Sequence, residues 1–184
     1  MTIDESAKSM KTIFDVGLRD SALLSLLIGC GLRRSEAAAA TVGQWRDLHK
    51  GRWAVCDIEG KHGRVRTVVA PEWAAVRINR WIAHRYGATD SALLPLLTPV
   101  RGDIRSALSV SAVWKIVQGY ATALNFGPVA PHDLRRTYAR LCREGGCPLS
   151  ELQMALGHES VRTTERYVNQ RLDVSRAAGD WMAL

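Results

Sequence analysis

Lysine is scarce in this chain. Only five of its 25 cationic side chains are lysine, and the other 20 are arginine. Bulk positive charge needs no such bias, whereas the planar guanidinium fork grips phosphate bidentately. Cysteines are few as well: Cys30, Cys56, Cys142 and Cys147, with no C-x-x-C among them. Structural zinc normally needs tighter ligand pairs, so no metal is expected, and a reducing compartment fits. Cys30 and Cys142 sit among apolar residues, where they are expected to pack as small hydrophobes. Long hydrophobic runs are missing, since the longest, ALLSLLIGCGL, is too short and too interrupted to span a bilayer. The sequence opens on the polar run MTIDESAKSMK, so a charged-then-apolar leader is not expected. Glycine, proline and serine are not clustered, so disorder is not the default. The expected setting is cytoplasmic, without a membrane.

What is present suits one folded domain. A chain of 184 residues, 47% of them hydrophobic, can bury roughly 70% of its unfolded surface without staples. The net charge is +7 and the pI about 9.6. Such a balance points to a polyanionic partner, or to no more than a basic solvated face.

Periodicity outlines the elements. Thr2 and Glu5 have capping-box spacing, and Ala7, Met10, Ile13 and Phe14 follow at helical intervals. Asp20 or Ser21 is expected to cap a second core helix, ALLSLLIG, apolar almost all round, which Gly29 and Gly31 end. A short helix covers 35–40. Residues 52–58 and 64–70 read as strands joined by the turn EGKHG, a β-hairpin over about 52–70. Pro71 suits the first turn of a helix buried through Ala74, Ile78, Trp81 and Ile82. Residues 88–109 are irregular, with a short strand expected at LLTPV. Val110, Val113, Trp114, Val117, Tyr120 and Leu124 form the next apolar stripe. Helices follow at 132–144, 149–156 and 160–169, then an amphipathic segment at about 173–184 carrying Val174, Ala177, Ala178 and Trp181. The fold class is therefore α+β, mainly helical, with a small antiparallel sheet beside the helical core.

Within this frame four short segments carry chemistry. GLRRSE puts Arg33 at a helix start with Glu36 one turn on to brace it, although an ordinary surface ion pair would look the same. The hairpin turn puts Lys61 at its tip, where a lysine either keeps an edge soluble or reaches a groove. His62, Arg64 and Arg66 share that hairpin and make it a basic finger. PHDLRRTYARL sets His132 and Arg135 three apart on one side of a helix, beside N-terminal amides that favour an anion. Leu134, Tyr138 and Leu141 are expected to bury the other side. LGHESVRTTERY places His158 after the turning residue Gly157, with Tyr167 further along a new helix.

GLRRSE, GK in the hairpin, HDLRRTYA, LGHES and the downstream tyrosine together resemble the catalytic domain of tyrosine recombinases, the phage-integrase family. The resemblance runs in order from about residue 10 to 170. It implies that Arg33, Lys61, His132, Arg135, His158 and Tyr167 are catalytic, with Tyr167 the nucleophile and Glu36 in support. Arg34, His62, Arg64, Arg66 and Arg136 are expected to be the accompanying DNA contacts. His62 stands where many members have glycine, and Cys30 where threonine is common. Family members usually carry an amino-terminal helical domain; none is expected within this sequence, where the catalytic part is expected to occupy 1–184 as one unit.

The implied activity is site-specific recombination: metal-free cleavage and rejoining of DNA through a 3′-phosphotyrosyl intermediate, without cofactors. The implied partner is double-stranded DNA, bound by a tetramer that is monomeric without it, with residues 173–184 docking into a neighbouring protomer. The same residues would serve a type IB topoisomerase that nicks and reseals without exchange. A DNA-binding regulator on the same fold is the other alternative, although a mere binder has no need of a nucleophile.

Overall fold

The computed structural model describes residues 3–60, 63, 65–87, 95–101 and 103–158, with side chains from Ser9 onward. Lys61, His62, Arg64, Tyr167, the expected helix at 160–169 and the segment 173–184 lie outside the described residues.

Helix α1 runs from Ile3 to Leu24 and passes directly into a π-helical turn, Ser25–Gly29. The break expected at Asp20 or Ser21 is not there. Asp20 is buried and caps nothing; its carboxylate accepts from Arg19 Nε at 2.8 Å and from the Tyr120 hydroxyl at 3.2 Å. A buried acid that already has two donors need not start a helix to be satisfied.

Helix α2 (Arg34–Ala39) follows, then a three-stranded antiparallel sheet in the order β1–β2–β3. Strands β2 (Trp53–Glu59) and β3 (Val65–Val69) form the expected hairpin. Strand β1 (Trp45–Asp47) was not expected; three residues are too few to display an alternating pattern. It pairs Trp45 with Val55, and Trp45 stacks on Trp53 with ring centroids 5.5 Å apart. LLTPV forms no strand; its neighbour Pro95 makes only a single bridge, to Thr41.

Helices α3 (Glu72–Tyr86), α4 (Val110–Ala123), α5 (Pro131–Glu144) and α6 (Leu149–Leu156) complete the described fold. The main core gathers Leu23, Leu26, Leu27, Leu32, Ile78, Trp81, Leu96, Leu97 and Val113. A smaller cluster of Ala139, Leu152 and Leu156 joins α5 to α6. Helix α4 is rotated from its expected stripe. It buries Val113, Val117 and Ala121, while Val110, Trp114, Tyr120 and Leu124 face outward. On α5, Leu141 is 49% exposed rather than buried, and the inward stripe is Pro131, Arg135 and Ala139. A charged residue therefore occupies a core position at the seam between the two clusters. Among the described residues no helix is long and apolar enough to cross a membrane.

Candidate active site

Glu36 is the hub. Arg33 is the N-cap of α2, in an extended backbone conformation that turns its N–H onto Glu36 Oε2 at 2.7 Å. Its Nη1 donates to Glu36 Oε1, also at 2.7 Å. The expected brace is thus present, and it is half of a capping box. Arg66 forks onto both oxygens of the same carboxylate at 3.0 and 2.8 Å. Arg135 approaches it at 3.8 Å. Burial alone would push the Glu36 carboxyl up; hydrogen bonds and charge from Arg66 and Arg33 instead hold it down at about 2.

Arg135 is 0% exposed. An isolated buried cation costs several kcal/mol of desolvation, so its surroundings must compensate. Nη1 donates to the Gly31 carbonyl at 2.6 Å and Nη2 to that of Leu156, and the Glu36 carboxylate stands beyond. Two core turns, one closing the π-helical segment and one closing α6, therefore fix this guanidinium. Gly31 makes the arrangement possible. Its φ is +61°, and a Cβ there would lie 2.4 Å from Cδ1 of Tyr138 on α5.

His158 follows the left-handed Gly157 that ends α6. Its Nε2 lies 3.5 Å from Arg135 Nη2, at the outer limit of a hydrogen bond. Arginine has only donors, so Nε2 accepts there and the ring proton belongs on Nδ1. Burial first, then Arg135, Arg33, Arg66 and His132, bring the His158 imidazole down to about 4. His132, on the exposed first turn of α5, is lowered by burial and by Arg136 and Arg135. Both rings are consequently neutral at pH 7. Burial is the larger cause for both rings, and the guanidinium groups of Arg33 and Arg135, which act on both, add a local excess of positive charge. Such a hollow suits an anion.

A cavity of about 400 Å³ opens over this cluster. Arg33, Arg34, His132 and Arg135 line it, with Ser35, Ala130 and Pro131 alongside and Val110 and Trp114 as an apolar wall. The two arginines expected to hold one phosphate thus face one space. Arg136 is exposed beside His132 and lies 3.5 Å from Asp133. Arg66 differs from expectation. It was placed among the DNA contacts on the outer hairpin, yet it turns inward to Glu36, its side chain 9% exposed. Alternation along a strand distinguishes faces, but not which face is covered by another helix. Trp114 and Ser35 were missed as cavity residues; the exposed half of the α4 stripe was the available signal for Trp114. Among the described residues no three His, Cys, Asp or Glu side chains are grouped as metal ligands.

Comparison with known proteins gives the family and agrees with the fold. The model of the Phage integrase family matches residues 1–172. A tyrosine recombinase XerC from Pelobacter propionicus is 33% identical over 177 residues, covering 94% of this chain and 56% of the relative. The crystal structure of XerA recombinase superposes with a TM-score of 0.70 at 22% identity, over 93% of this chain and 60% of that one. The XerH site-specific recombinase, in a pre-cleavage complex with its difH substrate, gives 0.70 at 22%, over 96% and 51%. The chain spans about half the length of the curated relatives it matches. With Arg33, Arg135 and His132 lining one hollow, Glu36 bracing the arginines, and a family match over residues 1–172, the chain belongs to the phage integrase family.

Proposed function

We propose that this chain cleaves and rejoins DNA by a metal-free transesterification, in site-specific recombination. The observation that carries the reading is the convergence of Arg33 and Arg135 on one carboxylate and one cavity. A relative with the same fold forms a pre-cleavage complex with its substrate, which supports the same role here.

In this reading the Tyr167 hydroxyl attacks the phosphorus, and the bond from phosphorus to the 5′ oxygen breaks. Free tyrosine has a pKa of about 10, so a base must take its proton. His132, whose pKa is lowered by burial and then by its cationic neighbours, is that acceptor. Lys61 gives the departing 5′ oxygen a proton. Charge builds on the non-bridging oxygens, where Arg33, Arg135 and an N–H of His158 meet it. A preorganised donor of this kind contributes roughly 3–4 kcal/mol to the transition state. The 3′-phosphotyrosyl product conserves bond energy, so a second 5′ hydroxyl reverses the step. Arg34, Arg136, His62 and Arg64 hold flanking phosphates of the duplex. The protein is a monomer alone and acts as a tetramer on DNA, its 173–184 segment seated on a neighbour.

Incubating the protein with nicked duplex DNA in EDTA should yield a covalent adduct on a denaturing gel, and Tyr167→Phe should remove it. An adduct that persists in that variant rules out Tyr167 as nucleophile. Plasmid relaxation independent of any site would favour a topoisomerase, and binding without an adduct a regulator.

A further inference from the structure

We propose that Arg66 is a positioning residue for the phosphate cradle: it sets Arg33 and His158 relative to one another while never touching DNA. The inference rests on the strand-transfer reading above.

Three contacts surround this side chain. Nη1 and Nη2 fork onto Glu36 at 3.0 and 2.8 Å, while Nε donates to the Ala155 carbonyl in the last turn of α6 at 2.9 Å. Each of its three nitrogens is thereby engaged by the protein. Its aliphatic stem crosses the turn that aims His158. A Cβ on Gly157 would come within 3.0 Å of Arg66 Cδ and 3.3 Å of Nε, and Gly157 has a φ of +59°. The absence of a side chain at 157 therefore makes room for Arg66 one residue before the histidine. One guanidinium joins β3, α2 and the end of α6; α2 carries the cavity residues Arg34 and Ser35, and α6 leads directly into His158.

The consequence follows from how one acid is shared. Glu36 is the acceptor for Arg33, Arg66 and Arg135. Because Arg66 takes up both carboxylate oxygens, Arg33 is held by a single Nη1 contact and keeps part of its guanidinium at the cavity. Without Arg66 the buried carboxylate would draw Arg33 or Arg135 into a bidentate pair, which is the strongest arrangement open to it. Either guanidinium would then be withdrawn from the phosphate. Displacements of about 1 Å at such groups cost on the order of 100-fold in rate. Lysine is no substitute, because a point ammonium cannot fork onto Glu36 while reaching Ala155.

The test uses the full chain with Arg66→Lys and Arg66→Gln. Three quantities are read: single-turnover cleavage of nicked DNA, DNA affinity across a salt series, and the His158 ring resonances by NMR without DNA. Cleavage should fall on the order of 100-fold in both variants. DNA affinity should stay within about twofold, with an unchanged salt slope, since no phosphate contact is lost. The His158 resonances should move in both. In Arg66→Gln the ring should also titrate higher, its remaining charged neighbours being Arg135, Arg33 and His132. Wild-type cleavage in Arg66→Lys would overturn the proposal, because the fork would then be dispensable. A salt slope smaller by about 0.9 would overturn it differently, making Arg66 a phosphate contact. Should Arg66→Gln fail to fold, the charge-preserving Lys variant decides alone. If the wild type forms no adduct, strand transfer itself fails; unmoved His158 resonances in both variants would separately overturn the positional claim.

Discussion

Arg135 reaches the Gly31 carbonyl across 104 residues of sequence, its Nη1 donating at 2.6 Å. The pairing is possible only because Tyr138, one turn along α5, lies against the bare Cα of Gly31. Gly31→Ala should therefore destabilise twice over. Placing an L-residue in left-handed backbone costs about 1–2 kcal/mol, and overpacking typically adds about 1–3. A loss on the order of 2–5 kcal/mol in urea unfolding is expected. A loss below about 1 kcal/mol would mean that α5 can shift away without consequence, and that Arg135 is less firmly fixed than its contacts imply.

Arg135→Ala separates catalysis from binding. Arg135 lines the cavity and is completely buried, whereas Arg34 and Arg136 are exposed. The cleavage rate should fall roughly 100- to 1000-fold, as when one preorganised donor is removed, with little change in DNA affinity. Comparable losses in rate and affinity would reduce Arg135 to a general phosphate contact. The variant will also be less stable, because Glu36 and two carbonyls lose a partner, so the comparison belongs at a temperature where both proteins are folded.

Much of this organisation was legible in the sequence. Pro131 and Gly157 punctuate α5 and α6, and the resemblance carried by the motifs implied that Arg33, Glu36, His132, Arg135 and His158 share one neighbourhood. What escaped was direction. Asp20 looked like a cap because caps and buried acids share residue types; only the approach of Tyr120 on α4 distinguishes them. Arg66 looked like an outer hairpin cation because its partner, Glu36, lies 30 residues away. The stripe on α4 was read a fraction of a turn off, since apolar residues occur on both its faces and periodicity cannot say which is covered. For Asp20 and Arg66 the miss is a long-range contact overriding a local rule.

Glu36 predicts a pH dependence of stability. Its folded carboxyl is lowered from 4.5 to about 2 by the arginines, against the opposing effect of burial. A depressed acid contributes stability that is fully present above the unfolded value and is lost as pH falls through the folded one. The contribution is on the order of 3 kcal/mol at neutral pH. Glu36→Gln should thus be markedly less stable than wild type at pH 7. The gap should close between about 4.5 and 2 in acid titrations followed by urea unfolding. A gap that is constant with pH would show that Glu36 acts through hydrogen-bond geometry and not through its charge.

His158 gives the most direct report on the hollow itself. Its ring is brought from 6.5 to about 4 by burial and by Arg135, Arg33, Arg66 and His132. The sign of the linkage is the same as for an acid with a depressed value: the neutral ring is favoured in the folded state. Stability should therefore fall as pH drops from about 6.5 toward 4, and His158→Gln should remove that part of the slope. A phosphodiester entering the cavity brings a negative charge among the same guanidinium groups and offsets them. NMR titration of His158 in the Tyr167→Phe variant should accordingly give a higher pKa with duplex DNA than without it. Inorganic phosphate should act in the same direction, more weakly. A DNA-bound ring titrating no higher than the free one would mean that no phosphate lies beside His158. That result would move the reacting linkage away from Arg33 and Arg135 altogether.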